Sequence, residues 1–237
     1  MIIYKNKLSH LHLPAYIVAC SVIGNGKIEN QDSVEIRNTN DGIIVVVADG
    51  LGSAAYSKEG SERAVKITAD LLEKEDFEDL PEKILINWKK NLQGNLNQYD
   101  TTVKFIYISS TKVFVGGIGD GWISLKNNIE VKNFIENNVF SNQTDTILSF
   151  DLENRFWINE YEKDEFDALL ISTDGFSEDI EKDNAFEFLS QVKIEMINNL
   201  DVFALDLDNT LLNWPIKSNR DDKTVVFIVF SKEDTHE

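Results

Sequence analysis

A single cysteine, Cys20, stands in a chain of 237 residues. One thiol makes no intramolecular disulfide and no thiolate zinc cluster, so a reducing compartment, the cytoplasm, is the expectation. Histidine is almost as scarce, and His10, His12 and His236 all lie close to the termini. A Ser/His/Asp triad or a His-ligated zinc site would have to be assembled from the chain's ends. Basic residues are outnumbered, with 23 Lys and Arg against 41 Asp and Glu and a formal net charge of −18. Without a basic face to neutralise phosphates, the sequence argues against nucleic acid and against an anionic membrane surface as partners. No apolar run reaches the roughly 18–20 residues of a membrane span. Residues Ala15 to Cys20 imitate a lipoprotein cleavage site. Their apolar part is shorter than the roughly 7–15 residues of a signal core, so a first core strand is expected instead. Pro/Gly/Ser-rich linkers and internal repeats are also missing, which reads as one domain over 1–237.

What is present is enough apolar residue, 42% with 10% aromatic, for a packed core. Runs of strand length recur at Tyr16–Ile23, Ile43–Ala48, Val103–Ile108, Lys112–Ile118, Ala168–Ser172 and Thr224–Phe230. Several are nearly continuous in Val and Ile rather than alternating, as expected of strands covered on both faces. Helical periodicity falls between them. Ser57–Leu72 carries Ala64, Ile67 and Leu71 at i, i+3 and i+7, while Leu80–Leu96 and Asn184–Asn199 read similarly. The acidic segments Glu73–Asp79 and Asp151–Asp167 read as solvated loops or helix edges.

Three apolar runs end in Asp-Gly: Asp49-Gly50, Asp120-Gly121 and Asp174-Gly175. Each sets a carboxylate at a strand end, followed by a residue that lets backbone approach a ligand closely. Asp221-Asp222 precedes the last strand, and Asp32 opens the strand before Ile43–Ala48. Asp-Gly is also a common turn dipeptide, and Asp41-Gly42 reads as a hairpin. Carboxylates gathered at apolar strand ends repel one another unless a cation lies between them, and oxygen-only ligands favour Mg²⁺ or Mn²⁺.

Asn30-Gln31-Asp32, Val47-Ala48-Asp49-Gly50-Leu51-Gly52-Ser53, Thr101-Thr102, Gly119-Asp120-Gly121, Ser172-Thr173-Asp174-Gly175 and Asp221-Asp222-Lys223-Thr224 follow one another in this order. The series resembles the motifs of metal-dependent PP2C-type protein serine/threonine phosphatases, and the stretch Ala48–Gly60 is similar to the compact bacterial branch. The resemblance covers about residues 16–230. It implies an α+β fold, a four-layer α-β-β-α sandwich with two central, mainly antiparallel sheets. It implies two Mn²⁺ or Mg²⁺ ions and a weaker third. Asp49 would bridge the two metals, the Gly50 carbonyl would complete one coordination sphere, and Asp174 and Asp221 would be the other direct ligands. Asp32 would hold a water of the centre from behind the ligands. Asp120 and Glu178 match the third site. The implied reaction is hydrolysis of phosphoserine or phosphothreonine by water activated between two cations, with no side-chain nucleophile. The implied partners are a phosphorylated protein and a cognate Ser/Thr kinase, and the chain is expected to be monomeric.

Three positions depart from that pattern. Lys27 stands where many members carry a phosphate-binding arginine, and an ammonium cannot reproduce a bidentate fork. A solvated turn lysine is the alternative reading. Ser53-Ala54 removes a candidate general acid, and Asp100 adds a negative group before Thr101-Thr102. These changes motivate a second reading, a catalytically weakened domain that binds phosphoproteins. Arg220 is read either as a partner of Asp221 or Asp222 or as a phosphate contact. A rival motif, Val202 to Leu211, resembles the nucleophile strand of haloacid-dehalogenase-type phosphatases. Too little chain follows it for that family's other motifs, so Asp206 and Asp208 read as surface acids or a loop near the final helix.

Overall fold

The computed structural model describes residues 1–8, 15–40, 42–90, 92–135 and 144–231, so the three histidines and Asp41 lie outside the described residues. The order is β1 (Ile2–Leu8), β2 (Ala15–Val22), β3 (Asp32–Asn38), β4 (Ile43–Asp49), α1 (Ser57–Leu72), α2 (Leu80–Lys89), β5 (Val103–Ile108), β6 (Lys112–Ile118), β7 (Trp122–Lys126) and β8 (Val131–Ile135). It continues with α3 (Leu152–Arg155), β9 (Trp157–Glu162), β10 (Ala168–Ser172), α4 (Asp174–Ser177), α5 (Ala185–Asn198), α6 (Leu200–Leu212) and β11 (Lys223–Phe230).

The strands form two antiparallel sheets, one ordered β1-β2-β11-β10-β7-β8 and the other β3-β4-β5-β6-β9. In β4, Ile43, Val45 and Val47 enter the core between the sheets, while Ile44, Val46 and Ala48 turn outward into the layer holding α1 and α2. In β11, Val226, Ile228 and Phe230 face inward while Val225, Phe227 and Val229 meet the α5–α6 layer. Both faces of these strands are buried, which is why their sequence is continuously apolar. The result is helix pair, sheet, sheet, helix pair, as the motif series implies.

Several boundaries differ from the sequence reading. The second helix ends at Lys89, seven residues before Leu96. Arg63 from α1 donates from Nε to the Trp88 carbonyl at 2.8 Å and from its terminal nitrogen to the Lys90 carbonyl, so the last carbonyls are satisfied from outside the helix. The segment that resembles a haloacid-dehalogenase nucleophile strand, read instead as surface acids or a loop near the final helix, lies within α6, with Phe203, Ala204, Leu207 and Leu211 buried along one face. Asp206 is exposed and Asp208 meets the Met1 amino group at 2.6 Å, so the two acids do not share a strand end. The acidic stretch Asp151–Asp167, read as solvated loop or helix edge, contains the short helix α3 and strand β9.

One end of the sandwich gathers chain from both sheets. Asp32 and Asp49 are register partners where β3 starts and β4 ends. Gly119 to Gly121 lies between β6 and β7, Asp174 follows β10, and Asp221 and Asp222 precede β11.

Candidate metal centre

Asp49, Asp120 and Asp174 converge at this end, each offering a carboxylate oxygen within 4.8 Å of the others. Three turns of chain make this possible. Asp49 has its backbone held on both sides: its N–H donates to Thr102 Oγ1 at 2.9 Å, and its carbonyl accepts from Thr101 Oγ1 at 2.7 Å and the Thr102 N–H at 2.9 Å. Gly119 adopts φ +109°, a left-handed conformation that favours glycine, and a side chain there would strike Thr102 at 2.5 Å. Asp120 then accepts a hydrogen bond from the Thr144 hydroxyl. Asp174 opens the short turn α4, and a Cβ at Gly175 would lie 2.0 Å from the Asp222 carbonyl oxygen. The α4 turn therefore sits directly on the Asp221–Asp222 segment.

The electrostatics of the cluster are those of crowded anions. Burial pushes the Asp174 carboxyl up to about 6, with repulsion from Asp120, Asp221 and Glu178 adding to it. Asp49 is raised well above the usual carboxylate range, first by burial and then by Asp32 and Asp174. Asp174 Oδ1 is buried with no donor facing it. Only a cation, or a proton shared with Asp49, satisfies that atom. An all-oxygen set of this kind fits a hard divalent cation.

Behind the cluster, Asp32 is 8% exposed and accepts a hydrogen bond from Thr173 Oγ1 at 2.8 Å. Burial raises its pKa to about 7 despite hydrogen bonds from Thr224 and Thr173, with repulsion from Asp222 and Asp174 contributing. Glu178 is exposed, and its pKa is raised by partial burial and then by Asp120 and Asp221.

Asp221 stands apart from the three converging carboxylates. It pairs with the Lys27 ammonium, which also reaches Asp222 Oδ2 at 3.0 Å. Burial works against the charge on Lys27, but these two acids outweigh it and raise its pKa. The solvated-turn reading of Lys27 therefore gives way to an ion-paired one. Arg220 is exposed and forms no ion pair with Asp221 or Asp222 among the described contacts.

The contacts of three neighbours escaped the sequence reading. Asp222 has a fully buried side chain that accepts from the Gly24 N–H at 2.7 Å and the Gln31 N–H at 2.8 Å, in addition to Lys27. It ties the 24–31 loop to the start of β11. Asn219 donates to the Gly175 carbonyl at 2.9 Å and Asp179 Oδ2 at 2.7 Å, and accepts from the Asp221 N–H at 3.1 Å and Lys223 Nζ at 2.9 Å. It thereby joins α4 to the Asp221 segment. Asp100 does not aim a free charge at the cluster: its oxygens accept from the Thr101 N–H and, at 2.9 Å, from Thr146 Oγ1. Asp222 stands in the Asp221-Asp222-Lys223-Thr224 motif, which gives no sign of its clamp on the 24–31 loop, and Asn219 has as its only signal the dense polar string before an apolar strand.

The family model described as protein phosphatase 2C matches residues 22–210 of the chain. The fold is similar to that of RsbX, solved in complex with magnesium, at 16% identity and a TM-score of 0.67, covering 98% of this chain and 100% of that one. It is also similar to the serine/threonine phosphatase Stp1 from Staphylococcus aureus, at 15% identity, a TM-score of 0.66 and coverage of 92% and 95%. The Mycobacterium tuberculosis serine/threonine phosphatase PstP/Ppp aligns at 18% identity, a TM-score of 0.62 and coverage of 91% and 98%. No curated protein matches the sequence.

Proposed function

Since the chain belongs to the protein phosphatase 2C family, we propose that it hydrolyses phosphoserine and phosphothreonine in proteins with two Mn²⁺ or Mg²⁺ ions held at the end of the sandwich. The observation that carries this reading is the convergence of Asp49, Asp120 and Asp174 around an oxygen of Asp174 that has no donor. Asp49 and Asp174, together with Asp221 and the Gly50 carbonyl that the motif series implies, are the residues that would hold the two cations. Asp120 and Glu178 would hold a weaker third. When bound, such ions supply a Lewis acid that activates water and neutralises phosphoryl oxygens.

The chain's own residues do the rest. Thr101 and Thr102 fix the Asp49 backbone, so its carboxylate enters the cluster already oriented. Asp32, anchored by Thr173, presents a carboxyl of raised pKa that accepts and holds a proton beside the cluster. Lys27 places a positive charge at the rim, where a phosphate dianion would arrive, and its contact with Asp221 and Asp222 keeps that ammonium in position. The supporting hydrogen bonds of Asp100 leave the approach less negative than its sequence position suggests.

A second reading, a phosphoprotein-binding domain with weakened turnover, draws on one observation. Lys27 pairs with Asp221, which removes Asp221 from the group of converging carboxylates. The discriminating experiment is hydrolysis of p-nitrophenyl phosphate and of a phosphothreonine peptide with Mn²⁺, with EDTA, and in Asp174→Ala. Loss of turnover in EDTA and in the variant is expected, and turnover that survived either would refute the two-metal reading. Peptide binding without turnover at any metal concentration would establish the binding domain. The phosphorylated partner, an opposing kinase, a monomeric state, one domain over the whole chain and a cytoplasmic place belong to the same proposal. Among the described residues no helix is long and apolar enough to cross a membrane.

A further inference from the structure

A cleft of about 460 Å³ is lined by α4, α5, α6, the loop after α6 and β11. Its floor and walls are aromatic: Phe176 from α4, Phe188 from α5, Phe203 from α6, Phe227 from β11 and Trp214 from the loop after α6. Phe203, Phe176 and Phe227 are buried beneath it, and Phe227 takes edge contacts from the rings of Phe176, Phe188 and Phe203. The rim carries three carboxylates, Asp179, Glu195 and Asp206, and among the described residues no lysine or arginine lines the cleft.

Ile216 lines the cleft and is 43% exposed, and Glu195 of α5 and Asp206 of α6 are exposed on the two helices that flank it. An apolar cleft open to solvent between two helices, with a carboxylate on each, suits a segment lying along it that carries cations on both sides of an apolar face. An aromatic-walled cleft with an acidic rim accepts one large apolar side chain in its centre and cations around it.

We propose that this cleft docks a basic amphipathic segment of a partner protein, with a Leu- or Phe-like side chain seated over Phe227 and lysine or arginine set against Glu195 and Asp206. The site lies outside the carboxylate cluster and does not rest on the phosphatase reading. Its wall is nevertheless shared with the cluster's support. Trp214 Nε1 donates to Asp179 Oδ2 at 2.6 Å, the same oxygen that receives Asn219.

The test uses the full chain and a fluorescent synthetic helix with leucine and phenylalanine on one face and lysine on the other, read by anisotropy at about 0.15 M salt. Two comparison peptides carry glutamate in place of lysine, or the same residues in an order that breaks the apolar face. The basic amphipathic peptide is expected to bind, and both comparison peptides to bind more than about tenfold more weakly. Asp206→Lys and Thr210→Arg, both at exposed positions, should weaken binding more than about tenfold, while Glu62→Lys on the exposed side of α1 leaves it unchanged. Equal binding of all three peptides, equal weakening by Glu62→Lys, or no binding at all would overturn the proposal. So would sedimentation showing a dimer that Asp206→Lys dissociates, since the face would then belong to a second copy of the chain. Catalysis is not read in this experiment, so its failure leaves the phosphatase reading untouched.

Discussion

Removing one negative charge from the carboxylate cluster should stabilise the metal-free protein. In the folded chain Asp32 is raised from 3.8 to about 7 and Asp174 from 3.8 to about 6. At roughly 1.36 kcal/mol for each pKa unit, ionising them in place opposes folding by about 4 and about 3 kcal/mol. The two groups interact, so about 7 kcal/mol is a ceiling for the pair rather than a sum. Both acids bind their protons more tightly folded than unfolded. The stabilisation from protonation is thus complete below the unfolded value of 3.8 and is lost as pH rises through about 6 and about 7. In EDTA, urea denaturation should show the unfolding free energy falling by about 4 kcal/mol or more between about pH 4 and about pH 8. Saturating Mn²⁺ should flatten that slope, because the cation takes the place of the protons. Asp174→Asn in EDTA should be about 2–3 kcal/mol more stable than the parent near pH 8 and indistinguishable from it near pH 4. Metal-free stability that stayed level or rose over this window, or an asparagine variant less stable near pH 8, would refute the electrostatic argument.

Three further outcomes follow from the supports around the cluster. Asp222→Ala leaves the Gly24 and Gln31 N–H groups and the Lys27 ammonium without their buried acceptor; a loss of about 3–5 kcal/mol is expected by urea denaturation, and a change below about 1 would contradict the clamp. Asn219→Ala should lower Mn²⁺ affinity by about 10–100-fold in calorimetric titration while global stability changes little, because it frees α4 and Asp221 from each other; unchanged affinity would deny it a positioning role. Gly175→Ala should abolish Mn²⁺ binding, since its Cβ would meet the Asp222 carbonyl at 2.0 Å, whereas Gly52→Ala meets nothing within 4 Å and should bind as the parent does.

The strands that were legible in the sequence are those buried on both faces. The runs of β4 and β11 are unbroken by polar residues because one side chain in two meets the other sheet and its neighbour meets a helix. Strand β9, Trp-Ile-Asn-Glu-Tyr-Glu, stands at a sheet edge with alternating exposure, and its acids disguise it as loop. Helix α6 was obscured for the opposite reason. Its Leu-Asp-Leu-Asp string alternates like a strand, and only the longer spacing of Phe203, Leu207 and Leu211 reveals the helical face. Within the site, the strand-end aspartates were visible as residues, while their grouping depended on which sheet each strand joined. The clamp made by Asp222 and the link made by Asn219 were not legible because they lie in contacts to backbone atoms far away in sequence, Gly24 and Gln31 in one case and Gly175 in the other.

Asp32 and Asp49 come from one sheet, and Asp174 with the Asp221–Asp222 segment from the other. Neither sheet alone carries a site, so a chain with only one sheet formed has scattered carboxylates and no reason to take up a cation. On the two-metal reading, which counts Asp221 among the ligands, cation uptake would report on the molecule's own completion: during synthesis it would wait for β11, close to the end of the described chain, to slot between β2 and β10. On the same reading a nascent or clipped chain lacking that last strand would be silent through its topology, without any inhibitor.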